Sequence, residues 1–240
     1  GGDVVKEPGN FEASSANYGG WSNYLQYSSA KDNGLYYTAV EEALADNNKT
    51  TGVVTVYADE VDMTGISYKG TIIVPAGESV TITNAPADLK VKTQDGYFLE
   101  NNNGTYESMR AVAKVGDKEF ETVQKALQYA IDNSAAEVVV LTDVREKMVT
   151  DFDLVIKANL TIKAADKFTA EAPAEVEFYN EGTSMDFAVG TADGAERCTL
   201  TIAKNVHFDL VDRVIWLGYY GNNVDVVVNG YFGGHQIWHG

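Results

Sequence analysis

Thr199-Leu200-Thr201-Ile202 returns as Asp225-Val226-Val227-Val228, 26 positions on, and Val214-Ile215-Trp216 returns as Gln236-Ile237-Trp238, 22 positions on. Each run is short, rich in β-branched or aromatic residues, and bounded by Gly, Asn or Asp, which is the pattern of brief strands separated by tight turns. A strand pattern that recurs every 20–26 residues is the mark of coils stacked in a parallel β-helix. In such a stack each coil buries one face of each strand, and only the next coil completes the core. Residues 196–240 carry no helical periodicity that competes with this reading.

Working outward from there, a longer duplication emerges. Tyr37-Thr38-Ala39-Val40-Glu41-Glu42-Ala43-Leu44 matches Phe120-Glu121-Thr122-Val123-Gln124-Lys125-Ala126-Leu127 at an offset of 83. Val53-Val54-Thr55-Val56 echoes Val138-Val139-Val140-Leu141, and Thr71-Ile72-Ile73-Val74 echoes Asp153-Leu154-Val155-Ile156 in the same order. Matched blocks in one order predict two copies of one unit. Phe120, Val123, Ala126, Leu127, Ala130 and Ile131 fall at helical spacing, so an amphipathic helix is expected over about 119–133, with a counterpart near Val40. Thr38 and Glu41 have the spacing of a capping box. Residues 97–106 read as a hairpin with a Gly-containing turn. The expected fold is therefore mainly β: right-handed parallel β-helix-like stacked coils with two short amphipathic helices as caps. The expected organisation is an irregular segment over 1–34, a first helix-plus-strands unit over 35–110, and a second over 111–240 that continues into the coils.

Composition limits function. The 240 residues carry 18 Lys and Arg against 35 Asp and Glu, a formal net charge of −17. Such a chain repels a phosphate backbone and an anionic membrane surface, so neither nucleic acid nor membrane insertion is expected. The single cysteine, Cys198, excludes an intrachain disulfide. Gly1-Gly2-Asp3 stands well before the first methionine, Met63, and reads as a mature or trimmed start. With 22 Gly, 14 Tyr and few basic residues, the composition suggests an extracellular setting or a bacterial cell surface.

Three stretches bear a family resemblance. Gly96-Tyr97-Phe98 through Asn103-Gly104-Thr105-Tyr106, then Val112-Ala113-Lys114-Val115-Gly116-Asp117 through Val123, then Val138-Val139-Val140-Leu141-Thr142-Asp143-Val144, resemble a repeat unit of large adhesin-like bacterial surface proteins with pectate-lyase-like right-handed parallel β-helix segments. The resemblance covers roughly residues 36–165 and extends to 166–240 only in style. It implies a secreted, adhesive or carbohydrate-contacting protein and carries over no catalytic residue.

The candidate ligand-binding residues are Trp216, Tyr219, Tyr220 and Trp238, in a C-terminal aromatic group that also holds Tyr231 and Phe232. Aromatic faces on a rigid β surface stack on sugar rings, while the same spacing also suits stacking in a core. Tyr219 and Tyr220 sit between Gly218 and Gly221, where a turn is expected. Asp209, Asp212 and Arg213 are the alternative catalytic group, two carboxylates that would serve as acid and base on a glycosidic bond. His235 and His239 repeat a zinc-protease spacing, but in a strand they stand about 13 Å apart, too far for one metal ion. Asn222, Asn223 and Asp225 offer oxygens without the spacing of a calcium loop, so no metal and no cofactor are expected. The expectation is a non-catalytic adhesive or glycan-binding surface module, its partner a host or dietary glycan or a surface protein. The alternatives are a polysaccharide lyase or glycoside hydrolase, and a stalk that only spaces other domains. Because the sequence closes on strands without a capping helix, further coils are expected to follow in the natural chain, and an open terminal coil invites self-association.

Overall fold

A computed structural model describes residues 4–6, 25–27, 30–32, 35–37, 39–47, 52–148, 152–179, 185–218 and 223–239. The fold is mainly β, with two helices among the described residues, in two compact units, Gly1–Arg110 and Ala111–Gly240.

In the first unit, β1 (Val4–Lys6) pairs in parallel with β2 (Leu25–Tyr27). The strands β3 (Ala30–Asp32) and β4 (Leu35–Tyr37) form an antiparallel hairpin. Three of these strands fall within residues 1–34, which the sequence reading leaves irregular. Three-residue strands are too short to show alternation; β3 exists through its partner, the later strand β5. Helix α1 (Val40–Asn47) buries Val40, Ala43 and Leu44, spaced to form one face. Thr38, the suggested capping residue, lies outside the described residues.

After α1 the chain alternates between two parallel ladders. The strands are β5 (Val53–Val56), β6 (Glu60–Asp62), β7 (Thr71–Ile73), β8 (Ser79–Thr83) and β9 (Lys90–Lys92). One ladder is β5-β7-β9, with Val54, Ile72 and Val91 in register. The other is β6-β8, with Val61 opposite Ile82. The hairpin of β10 (Tyr97–Asn102) and β11 (Thr105–Arg110) then lays β11 antiparallel on β8. Asn103 and Gly104 have φ of 54° and 95°, the left-handed pair that a two-residue hairpin needs. A side chain at residue 104 would also come 2.9 Å from the Ile82 carbonyl oxygen.

The second unit opens similarly. The strands β12 (Ala113–Val115) and β13 (Lys118–Phe120) form a hairpin, α2 (Val123–Asp132) follows, and β14 (Glu137–Val140) pairs antiparallel with β12. Helix α2 starts later than the expected 119, because Lys118–Phe120 is strand. Phe120 has the right spacing to join the helix face, but it belongs to the hairpin and packs its ring 5.2 Å from that of Tyr129. Thr122 caps the helix by accepting the Lys125 N–H.

The remaining strands are β15 (Val144–Lys147), β16 (Leu154–Ile156), β17 (Leu160–Ala164), β18 (Ala174–Tyr179), β19 (Met185–Thr191), β20 (Cys198–Ile202), β21 (Val206–Leu217), β22 (Val224–Val228) and β23 (Tyr231–His239). From β14 onward the chain visits three parallel ladders in one order, four times over. The first ladder is β14-β17-β20-β22. The second is β15-β18 with the first halves of β21 and β23, and the third is β16-β19 with their second halves. The 26-residue spacing corresponds to ladder partners Leu200 and Val226, and the 22-residue spacing to Trp216 and Trp238.

Inward residues stack into columns. Val138, Ile162 and Ile202 are fully buried along the first ladder. Along the second, Phe178 meets Phe208 edge-to-face at 5.1 Å and Phe208 meets Phe232 at 5.8 Å. Burying each such ring stabilises the fold by about 2–3 kcal/mol. Helix α2 adds Val123, Ala126, Leu127, Ala130 and Ile131 to the same core.

Candidate ligand groove

Residues that alternate with the buried columns face outward, and on the second ladder they form two charged rows. Arg145, Glu177 and Asp209 are successive ladder partners, 32 residues apart each time. Beside them run Asp143, Glu175, His207 and Tyr231, the last three in register. Asp143, Arg145, Glu175, Glu177, His207 and Asp209, with Val144 and Val176, line an open groove of about 410 Å³.

The groove is largely wired internally. Arg145 Nε donates to Glu177 Oε1 at 2.5 Å, and its guanidinium also lies over the Tyr179 ring. Asp143 Oδ1 accepts the Glu175 backbone N–H at 2.9 Å, which ties these two neighbours of one row together. His207 Nδ1 is 3.1 Å from Glu175 Oε2. Asp209 has no ion-pair or hydrogen-bond partner among the described residues. Four carboxylates therefore face one guanidinium and one imidazole, so the groove attracts cations, repels anions and leaves neutral groups unopposed.

Tyr231 is the ladder partner of His207 and stands next to the groove lining. Its ring centroid lies 4.0 Å from that of His207, the two rings tilted by 51°, and the phenol passes over Gly233, where a Cβ would collide with it. The first unit has a similar aromatic over a glycine, Tyr68 over Gly70. Tyr68 is 1% exposed and donates its hydroxyl to the Gly52 carbonyl, whereas Tyr231 is 44% exposed.

The residues singled out from sequence are distributed unevenly. Trp216 and Trp238 are ladder partners with ring centroids 5.1 Å apart; Trp216 is half-buried and Trp238 is 49% exposed. Tyr219 and Tyr220 lie outside the described residues. Asp209 faces the groove, but Arg213 is 1% exposed, inside the core, with its guanidinium 5.6 Å from the Phe187 ring. The two are not brought together, because they occupy opposite faces of β21. Asp212 is in β21 as backbone, and its side chain lies outside what is described. Asp225, whose oxygens lack the spacing of a calcium loop, is engaged by Arg197. Among the described residues no three His, Cys, Asp or Glu side chains converge as metal ligands.

Sequence reasoning missed Asp143, Arg145, Glu175 and Glu177. The signal was present: Asp143-Val144-Arg145, Glu175-Val176-Glu177 and His207-Phe208-Asp209 share a polar-apolar-charged pattern at intervals of 32. That interval is longer than the 20–26 sought, because the first includes residues 165–173 between β17 and β18 and the second residues 192–197 between β19 and β20. No family model, curated protein or solved structure matches the chain.

Proposed function

We propose that the chain is a non-catalytic, glycan-binding module of an extracellular, adhesin-like bacterial surface protein, its strands wound as a right-handed parallel β-helix. On this reading the two units are copies of one ancestor, each opened by a helix that covers the core. Right-handed winding is what parallel crossovers adopt almost without exception. The observation that carries the binding role is the groove itself. It offers a row of hydrogen-bonding carboxylates and an imidazole beside an exposed tyrosine ring packed against a glycine. Sugars are recognised by that combination, a stacking face with a few fixed polar groups. The surplus of carboxylates favours neutral glycans over uronates or sialylated chains. The exposed Trp238 ring, backed by Trp216, offers a second stacking face.

A glycan array tests the proposal. The purified chain is expected to bind neutral glycans, and Tyr231→Ala is expected to abolish the signal while leaving the circular dichroism spectrum intact. Silence across the array overturns the reading in favour of a spacer role. A second reading, a glycoside hydrolase, draws on Glu177 and Asp209, which are register partners on adjacent strands. Neighbouring strands lie about 4.8 Å apart, close to the carboxyl separation of retaining glycosidases. Arg145 occupies Glu177, and Arg213 is turned away from the pair, which favours binding over hydrolysis. Release of new reducing ends from neutral polysaccharides would reverse that preference.

A further inference from the structure

Val138 and Val140 point into the core of the second unit and are fully buried. Val139 lies between them on β14 and so faces outward, yet it is only 8% exposed. Its register partners are Lys114 on β12 and Lys163 on β17. Every other lysine among the described residues is exposed, and these two alone are half-buried. With Val139, Leu141 and Ala164 they line a cavity of about 300 Å³. Two lysine stems lying over Val139 would bury it without leaving space, whereas here a cavity remains beside it.

The charges around the cavity are unevenly matched. Lys163 Nζ is 2.9 Å from Glu137 Oε2. The Lys114 ammonium has no ion-pair or hydrogen-bond partner among the described residues, although the chain holds 35 Asp and Glu against 18 Lys and Arg. Asp166 also lines the cavity but is exposed to water, where its charge is screened. A half-buried ammonium beside apolar side chains is costly to desolvate unless an anion meets it. Lys163 adds to that demand, because an ammonium has three N–H donors and can hold Glu137 and a second acceptor together. In the first unit the corresponding register row is Lys31, Thr55 and Ile73, without a second lysine opposite the first.

We propose that this cavity binds a small monocarboxylate with an apolar tail. The carboxylate accepts from the Lys114 ammonium, and the tail lies on Val139, Leu141 and Ala164. The volume holds roughly ten non-hydrogen atoms at the ~30 Å³ that each water takes in the liquid. One negative charge matches one uncommitted ammonium, whereas a polyanion would face Glu137, Asp166 and the net charge of −17. The site lies on the first ladder and the groove on the second, so neither reading depends on the other.

Octanoate is the probe, titrated into the isotope-labelled full chain and followed by amide chemical shifts. One octanoate per chain is expected, with the largest shifts at Lys114, Val139 and Lys163. Octanol, which keeps the tail and lacks the charge, is expected to bind about tenfold more weakly or worse. Lys114→Met keeps the stem, loses the ammonium, and is expected to weaken octanoate by about tenfold or more while the circular dichroism spectrum stays that of the wild type. Lys90→Met, at an exposed lysine of the first unit, is expected to change nothing. No saturation at millimolar octanoate, shifts centred elsewhere, octanol binding as tightly as octanoate, or full affinity in Lys114→Met would each overturn the proposal. The shift map and the octanol comparison use the wild type, so they decide the matter even where a variant fails to fold.

Discussion

Helices α1 and α2 open their units at the same place, between a hairpin and the first parallel strand, but their positive ends are met differently. Helix α1 carries Glu41 and Glu42 in its own first turn. Helix α2 has no acid there and takes one from a distant strand. Glu146 of β15, 7% exposed, accepts the Val123 N–H at 2.6 Å, the Gln124 N–H at 3.2 Å and Gln124 Nε2 at 3.3 Å. In the first unit the comparable stretch is Val61-Asp62-Met63, buried, exposed, buried; in the second it is Glu146-Lys147-Met148 with the same alternation. One position serves as plain core in one unit and as a tether in the other. A buried carboxylate is tolerated when it satisfies several orphan N–H groups at a helix start.

The column behind Glu146 separates the units most. Its neighbours are aromatic, Phe178 against Phe208, whereas the first unit stacks Val54, Ile72 and Val91. Phe208→Ala is expected to lower stability by about 3–5 kcal/mol, and Ile72→Val by about 0.5–1.5 kcal/mol. Urea denaturation measures both. If Phe208→Ala costs no more than Ile72→Val, the aromatic column is not the core it is taken for.

Removing the tether ranks next. Glu146→Ala strands two backbone N–H groups in a buried site and is expected to cost about 2–3 kcal/mol, with Glu146→Gln costing less because it keeps one acceptor. Equal losses for the two variants would show that the side chain only fills space.

The acids of the two units also titrate in opposite senses. Burial, partly offset by the N–H groups it accepts, raises the Glu146 carboxyl above its ordinary value. The folded state therefore holds this proton more tightly than the unfolded one. Its contribution is fully present below the ordinary carboxylate range and is lost as pH rises through the raised value. Asp62 in the first unit is held below its ordinary value by hydrogen bonds from Asn84 and Thr64. That contribution is present above the ordinary range and is lost as pH falls through the lowered value. Urea midpoints against pH for wild type, Glu146→Gln and Asp62→Asn should show the two differences changing in opposite directions. Changes in the same direction would refute one of the assignments.

Legibility followed chain separation and element length. The pairs Leu200 with Val226 and Trp216 with Trp238 were readable because the last turns are short and uniform, so partners recur at 26 and 22. The hairpin at Asn103-Gly104 was readable because its turn chemistry is local. The groove was not, since its rows recur at 32, an interval set by connections between strands that the strands themselves do not encode. Glu146 was invisible for another reason. One acid among 35 Asp and Glu carries no mark of burial, and only the fold brings it to a helix start 23 residues earlier. The strands β3 and β4 were hidden by their length, although Ala30-Lys31 and Ala113-Lys114 stand at the same offset of 83 as the helices.

The smallest effects test whether backbone strain or side-chain bonding governs the left-handed positions. Ser134 ends α2 with φ of 51°, and Asn84 follows β8 in the first unit with φ of 52°. Ser134 donates its backbone N–H to the Ile131 carbonyl and makes no side-chain hydrogen bond among the described residues, so Ser134→Gly removes strain at little loss. It is expected to stabilise by about 0.5–1 kcal/mol. Asn84 differs, because its Nδ2 donates to Asp62 Oδ1 at 2.8 Å and to Thr64 Oγ1 at 2.9 Å. Asparagine also tolerates the left-handed region better than serine, so glycine relieves less strain there. Asn84→Gly is therefore expected to destabilise slightly, with the Asp62 carboxyl returning toward its ordinary value. Opposite signs in thermal unfolding would show that equal φ does not mean equal strain. A gain at both positions would mean that the Asn84 bonds contribute nothing in water.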